Sequence, residues 1–261
     1  MHALLALVLG GLGACAGLSL RPANSLSGVS LVRARDGRAV DLGAALAPRS
    51  GKTLVVFGSH AADFNTIEYA QRASHFWPQM RKRGINRCVM VVNGNEEACN
   101  KLADVLDLPK DFELLADEAG DAGRRFGVSR GFLPDAQWLP PQVKLFVVGI
   151  GLGPPWRTLA AVLPGFFGSP GGRRGWVEAA LKQGQLAGRS AGPLPPILNL
   201  GADGAILGNR FDAFPIVGGW GLRPLELATL RLQNLAGVQA AHWDVLKPTD
   251  DRCLTQLGGC A

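Results

Sequence analysis

The stretch Thr53-Leu-Val-Val-Phe57-Gly-Ser-His60-Ala-Ala-Asp63-Phe-Asn-Thr-Ile-Glu68 decides how this chain is read. Leu54 to Phe57 is an unbroken apolar run led by Thr53. Such a run has no polar face, so it predicts a strand covered on both sides, as in a parallel sheet. Gly58 to Asp63 reads as a loop. The period then changes. Ile67, Ala70, Ala73, Trp77 and Met80 fall near helical spacing on one face, which predicts a helix from about Thr66 to Arg83. Pro78 is expected to bend this helix, and Gly84 to end it. At its start, Asn65-Thr-Ile-Glu68 fits a capping box, with Asn65 as N-cap and Glu68 at the third helical position.

The alternation continues on both sides. Upstream, Val29–Val32 and Ala39–Leu42 read as short strands around the Asp36-Gly37 turn. Downstream, Arg87–Val92 is a second buried strand. Asn95-Glu96-Glu97 opens a second helix with Ala98, Leu102, Val105 and Leu106 facing inward. Phe112–Leu115 is a third strand, and Gly120–Phe126 a short helix closed by Gly127. Residues 129–195 break the rhythm, with many Gly and Pro and with Trp138, Trp156 and Trp176. Val143 to Leu163 is nearly uncharged, and Gly153-Pro154-Pro155 cuts it into halves too short to span a bilayer. Packing as an apolar insertion is favoured over lying on a membrane surface. Ile197–Leu200 and Ala205–Leu207 flank Asp203-Gly204 as a hairpin. Arg223-Pro224 starts a last helix, which Gly237 is expected to stop; an irregular polar tail follows. Helices between buried strands predict an α/β fold with a mixed central sheet covered by helices. The expected organisation is a leader over 1–25, a domain over 26–240 with its insertion at about 129–195, and a tail over 241–261.

With 261 residues, of which 47% are hydrophobic, the chain has enough apolar surface for one domain with a real core. The 35 Gly and 17 Pro point to long ordered loops or an insertion rather than wholesale disorder. The net charge of +6 gathers in Arg81-Lys82-Arg83, Arg124-Arg125 and Arg173-Arg174. No nucleic-acid module accompanies these clusters, so they read as solvated surface, and no nucleic-acid partner is expected. The apolar run Ala3–Leu12 is followed by Ala14-Cys15-Ala16, the small-x-small pattern of a signal peptidase site. No acid then appears before Asp36, whereas Arg21, Arg33 and Arg35 do. This pattern resembles the two-part plastid leaders of algae with complex plastids; plain secretion is the alternative.

Five cysteines are present, at 15, 88, 99, 253 and 260. None forms a Cys-x-x-Cys pair or shows zinc-ligand spacing. Cys88 lies in an apolar run and reads as a small buried residue. His60 and Asp63 share a loop, but two ligands do not make a metal site. Gly149-Ile-Gly151-Leu-Gly153 is followed by two prolines where a dinucleotide site needs a helix N-terminus. No cofactor or metal is expected.

A family resemblance rests on an ordered series of pieces. They are Arg35-Asp-Gly-Arg-Ala-Val-Asp-Leu42, the strand Leu54–Phe57, Asp63-Phe64, Leu108-Pro109, Leu114-Leu-Ala-Asp-Glu-Ala-Gly120, Arg125-Phe-Gly-Val128 and the Asp203-Gly204 hairpin. Together they resemble the alkyl hydroperoxide reductase/thiol-specific antioxidant superfamily. The apolar insertion and Phe214-Pro215 to Arg231 are similar to its peroxiredoxin-like subgroup of cyanobacterial and plastid type. The resemblance implies a thioredoxin-like fold and antioxidant redox chemistry at a cysteine in the first turn of the helix after the first buried strand. Its surroundings there usually read Pro-x-x-x-Thr/Ser-x-x-Cys. Aligning Asp63-Phe64 with the family's Asp-Phe pair puts Ala61, Asn65 and Glu68 at those three positions. Peroxide reduction needs a thiolate, and a carboxylate cannot supply that chemistry.

Two functional readings follow. The first is a binding or assembly module that keeps the fold without the thiol, with an unidentified protein partner or a peripheral membrane contact through 143–168. The second is a thiol-dependent oxidoreductase that uses a non-standard cysteine. Cys99 is the best placed for exposure, although Glu96 and Glu97 oppose its ionisation. Cys253 and Cys260 act only if the tail folds back, and a pair of ordinary thiols is the simpler reading.

Overall fold

A computed structural model describes residues 26–47, 51–128, 133, 135, 136, 138–140, 143, 144, 147, 175–189, 195–216, 223, 225–249 and 253. The leader and most of 129–195 therefore lie outside the described residues, as does Cys260. So does the expected membrane-contact stretch 143–168, apart from residues 143, 144 and 147.

Two short strands, β1 (Ser30–Arg33) and β2 (Ala39–Asp41), form the first hairpin. Its turn holds Gly37 at φ 66°, a backbone state that only glycine enters freely. The helical turn α1 (Leu42–Ala45) follows. Next come β3 (Lys52–His60), α2 (Phe64–Arg81), β4 (Ile85–Asn93), α3 (Glu96–Val105), β5 (Phe112–Ala116) and α4 (Asp121–Phe126). The later elements are α5 (Gly175–Leu186), β6 (Leu198–Leu200), β7 (Ile206–Asn209), a 3-10 turn (Arg210–Ala213) and α6 (Glu226–Leu246).

Five strands make one mixed sheet in the order β2-β1-β5-β4-β3. β3, β4 and β5 run parallel, with Val56 opposite Met90 and Met90 opposite Leu114. β1 runs antiparallel to β5. Side chains alternate across the pleat. Cys88, Met90 and Val92 face one core, shared with Ile67, Trp77 and Met80 of α2, Leu102 of α3 and Leu235 of α6. Val89 and Val91 face the other, with Leu26, Leu31, Leu42 and Ala122. Both faces are thus covered, which explains the unbroken apolar runs in the sequence. The β6-β7 hairpin is a separate two-stranded sheet. It rests on a third cluster in which Trp176, Val177 and Leu181 of α5 meet Ile197, Leu198 and Leu230.

Two local expectations are corrected. α2 begins at Phe64 with Asp63 as its N-cap, so the Asn65–Glu68 capping box does not form. Asp63 prevails because its second oxygen is already held by Ser59. α2 includes Pro78, as the expected range did, and its exposed ring sits one turn from the helix end. Finally, α6 passes Gly237 and reaches Leu246. Gly237 lacks the positive φ of a helix-ending glycine. Burial of Val238 and Leu246 in the main core outweighs the roughly 1 kcal/mol that a mid-helix glycine costs.

Candidate functional site

The carboxyl ends of parallel strands are where an α/β sheet presents side chains to a ligand. Here they carry His60, Asn93 and Asp117, all buried. Asp117 accepts hydrogen bonds from the backbone N–H groups of Asp121 (3.0 Å) and Ala122 (2.8 Å), which caps α4. Burial pushes its carboxyl above the usual range, and those two N–H groups oppose the shift without cancelling it.

At the junction of β3 and α2, a buried hydroxyl–carboxylate chain fixes the turn. Ser59 Oγ donates to Asp63 Oδ2 and lies 3.1 Å from Thr66 Oγ1. Asp63 Oδ1 accepts from the N–H of Asn65 at 3.1 Å. Gly58 lets α2 come this close: a Cβ there would stand 3.0 Å from Thr66 Oγ1. His60 is buried beside the edge of the Trp243 ring, at a centroid distance of 6.5 Å. Its Nδ1 has no hydrogen-bond partner. Burial holds the imidazole below its ordinary pKa, and the Asp63 carboxylate opposes that shift without reversing it.

Glu68 follows one turn into α2. It is buried, and both of its oxygens are taken by guanidinium groups. Arg231 of α6 donates to Oε2 through Nη2 (2.6 Å) and Nε (3.2 Å). Arg72, one turn along α2, reaches Oε1 at 3.2 Å, and its guanidinium lies over the Trp176 ring of α5 at 5.1 Å. Glu68 therefore joins α2 to α6 directly and to α5 through Arg72. One turn further, Gln71 and Asn234 exchange two amide hydrogen bonds of 3.1 and 2.6 Å. Gln239 then donates to the carbonyl of Ala62 at 2.7 Å. This set positions α6 across the start of α2.

The candidate thiols are elsewhere. Cys99 is fully buried on the inner face of α3, so the exposure expected of it is absent. Its helical neighbours Ala98 and Leu102 turn the same face into the core. Burial, reinforced by Glu96, pushes its thiol up to about 12. Burial alone does the same to Cys88. Cys253 is buried as well, and its Sγ lies 3.4 Å from the carbonyl oxygen of Glu118, in the loop after β5. Cys88 and Cys99 are unbridged. An open cleft of about 460 Å³ lies near that loop, lined by Ser30, Glu96, Asp117, Glu118, Asp121 and Arg125 among others. No group of three or more potential metal ligands occurs among the described residues.

The sequence reading singled out Glu68, and the structure places it at the centre of an ion-pair hub. It missed Arg231, Asn234 and Trp176 as the partners around this position. Arg231 lies 163 residues from Glu68, and no local spacing links the two. The Ser59–Asp63–Thr66 chain did leave a signal, since three short polar residues fall at intervals of four and three. Comparison with protein-family models, with curated proteins and with solved structures finds no match, so the fold stands on the strands and helices described above.

Proposed function

We propose that this chain is a thioredoxin-like, peroxiredoxin-like module that binds or assembles with a partner in a plastid and does not reduce peroxide. The observation that carries the reading is the state of position 68. In the family it resembles, that position holds the reactive cysteine. Here a buried carboxylate occupies it, and two arginines take both of its oxygens. Among the described residues the position is filled and cross-linked by charge, with the arginines already engaged by the carboxylate. The described thiols add support: Cys88 and Cys99 are pushed up to about 12, where the nucleophilic thiolate is scarce at neutral pH. The alternating β3-α2-β4-α3-β5 order, with a hairpin and a helix after it, is compatible with a thioredoxin-like fold. The β6-β7 hairpin stands apart from the main sheet in this chain.

The experiment is hydroperoxide consumption by the full chain with a dithiol donor. No turnover above buffer is expected, with the same result when Cys88, Cys99, Cys253 and Cys260 are all changed to Ser. Turnover that a single Cys→Ser change abolishes would establish the oxidoreductase instead. Sedimentation with anionic vesicles tests the contact assigned to 143–168, and a C-terminal fluorescent fusion tests the plastid address.

A further inference from the structure

Arg189 follows the end of α5, and its backbone carbonyl lies beside Gly237 of α6, 3.7 Å from where a Cβ would stand. Its side-chain Nε and Nη2 are buried and make no hydrogen bond. These two atoms form one edge of the guanidinium plane, and their N–H bonds point the same way. That edge matches the two oxygens of a carboxylate or a phosphate. Arg231 uses the same edge in this molecule, where Nε and Nη2 both donate to Glu68. Among the described residues, none plays the part of Glu68 at Arg189.

A second unmet group lies nearby. His242 on α6 has a buried Nε2 without a partner. It sits where α6 leaves helical geometry, at φ −136° and ψ 20°. Lys101 of α3 and Arg189 both act on its imidazole electrostatically, so basic side chains from α3, the α5 end and α6 lie near one another. Two carboxylates are in range as well: Asp107 acts on Arg189, and Asp244 on His242. Both are exposed and screened by water, and no Asp107 oxygen accepts a hydrogen bond from the buried edge. A buried guanidinium edge without an acceptor is costly, and an oxyanion with two acceptor oxygens removes that cost.

We infer that the Arg189 Nε–Nη2 edge and His242 Nε2, with Lys101 beside them, form a binding site for a small oxyanion, a carboxylate or a phosphate-type group. The site is distinct from the Glu68 hub and does not depend on the binding role proposed above. It accounts for the buried nitrogens of two partly exposed side chains, which otherwise have no partner among the described residues.

Calorimetric titration of the full chain at low ionic strength tests this, with sodium sulfate and sodium acetate as separate probes. Saturable binding of one anion per chain is expected. Preference for sulfate marks a phosphate-type site and preference for acetate a carboxylate site; saturable binding of neither overturns the inference. Arg189→Lys keeps the charge but loses the paired edge, and is expected to weaken binding by about tenfold or more. Unchanged affinity in that variant overturns the inference. Sulfate keeps its charge between about pH 7 and about pH 5.5, so tightening over that range reports His242 gaining a proton. His242→Gln is expected to remove the tightening. Finally, Arg189→Met removes the unmet donors and is expected to melt no lower than the parent in anion-free buffer. A clear loss of stability there means that Arg189 already has a structural partner, which also overturns the site.

Discussion

A carboxylate at position 68 meets two guanidinium groups from different parts of the chain, and its effect depends on how much water each pair sees. Glu68 is nearly enclosed, whereas the Arg231 side chain is 43% exposed. The Arg231 pair is therefore discounted for screening. Glu68→Gln keeps the shape and leaves two arginines short of an anion. It is expected to cost about 1–2 kcal/mol in urea unfolding. Glu68→Cys tests the electrostatics directly. With Arg72 and Arg231 retained, the new thiol is expected to titrate below the ordinary value of about 8.5. Ultraviolet absorbance of the thiolate reads this, and a titration at or above that value would mean the arginines do not face the position. Low pKa alone would not make a peroxidase, since under the proposed alignment Ala61 and Asn65 stand where the resembled family has Pro and Thr or Ser.

Helix α2 is held at its start by Asp63, and α6 is held at its far end by Leu246. Asp63→Ala removes the acceptor for the Asn65 N–H and leaves the buried Ser59 hydroxyl without its carboxylate partner. A loss of about 1–3 kcal/mol is expected. Leu246 is fully buried in the core that α2, α3 and the sheet share. Leu246→Ala is expected to cost about 2–5 kcal/mol, measured by the same unfolding curve. A near-neutral result would mean that α6 ends near Gly237, as its sequence suggests. The pair of amides at Gln71 and Asn234 sits between these anchors and adds directional hydrogen bonds where the two helices meet.

Acid is expected to weaken the whole molecule from the histidine range downward. Burial holds His60, His75 and His242 below the ordinary histidine value of 6.5. The unfolded chain therefore takes up protons first as pH falls through 6.5, and folding stability declines from there down to the folded values. His60 is the most enclosed of the three and dominates. The urea midpoint is expected to fall between about pH 7.5 and about pH 5.5, and His60→Gln to flatten that slope. A midpoint constant over this range would contradict the buried state of His60. Glu113 acts at lower pH. Burial opposes its ionisation, but hydrogen bonds and charge from Arg87 and Arg33 hold its carboxyl below 4.5. Its contribution is present above 4.5 and is lost as pH falls through the folded value.

The hydrophobic period along the chain was sufficient for β3, β4, β5 and the inner faces of α2 and α3, because period is a local property of neighbouring residues. The Asp36-Gly37 and Asp203-Gly204 turns were legible for the same reason, since the backbone state at Gly37 and Gly204 is set by the residue itself. Long-range choices were not legible. Asp63 displaced Asn65 as N-cap because Ser59, on the strand before it, already held one carboxylate oxygen. α6 ran past Gly237 because the core had a place for Leu246. Cys99 was enclosed because α3 turned that face toward the sheet. The pairing of Glu68 with Arg231 spans 163 residues, and only the packing of α6 on α2 brings the two charges together. The sequence by itself determined which residues sit at the start of α2 and that no cysteine is among them. Tertiary structure decided what that carboxylate does, because the energy of a buried charge depends on the partners that folding delivers to it.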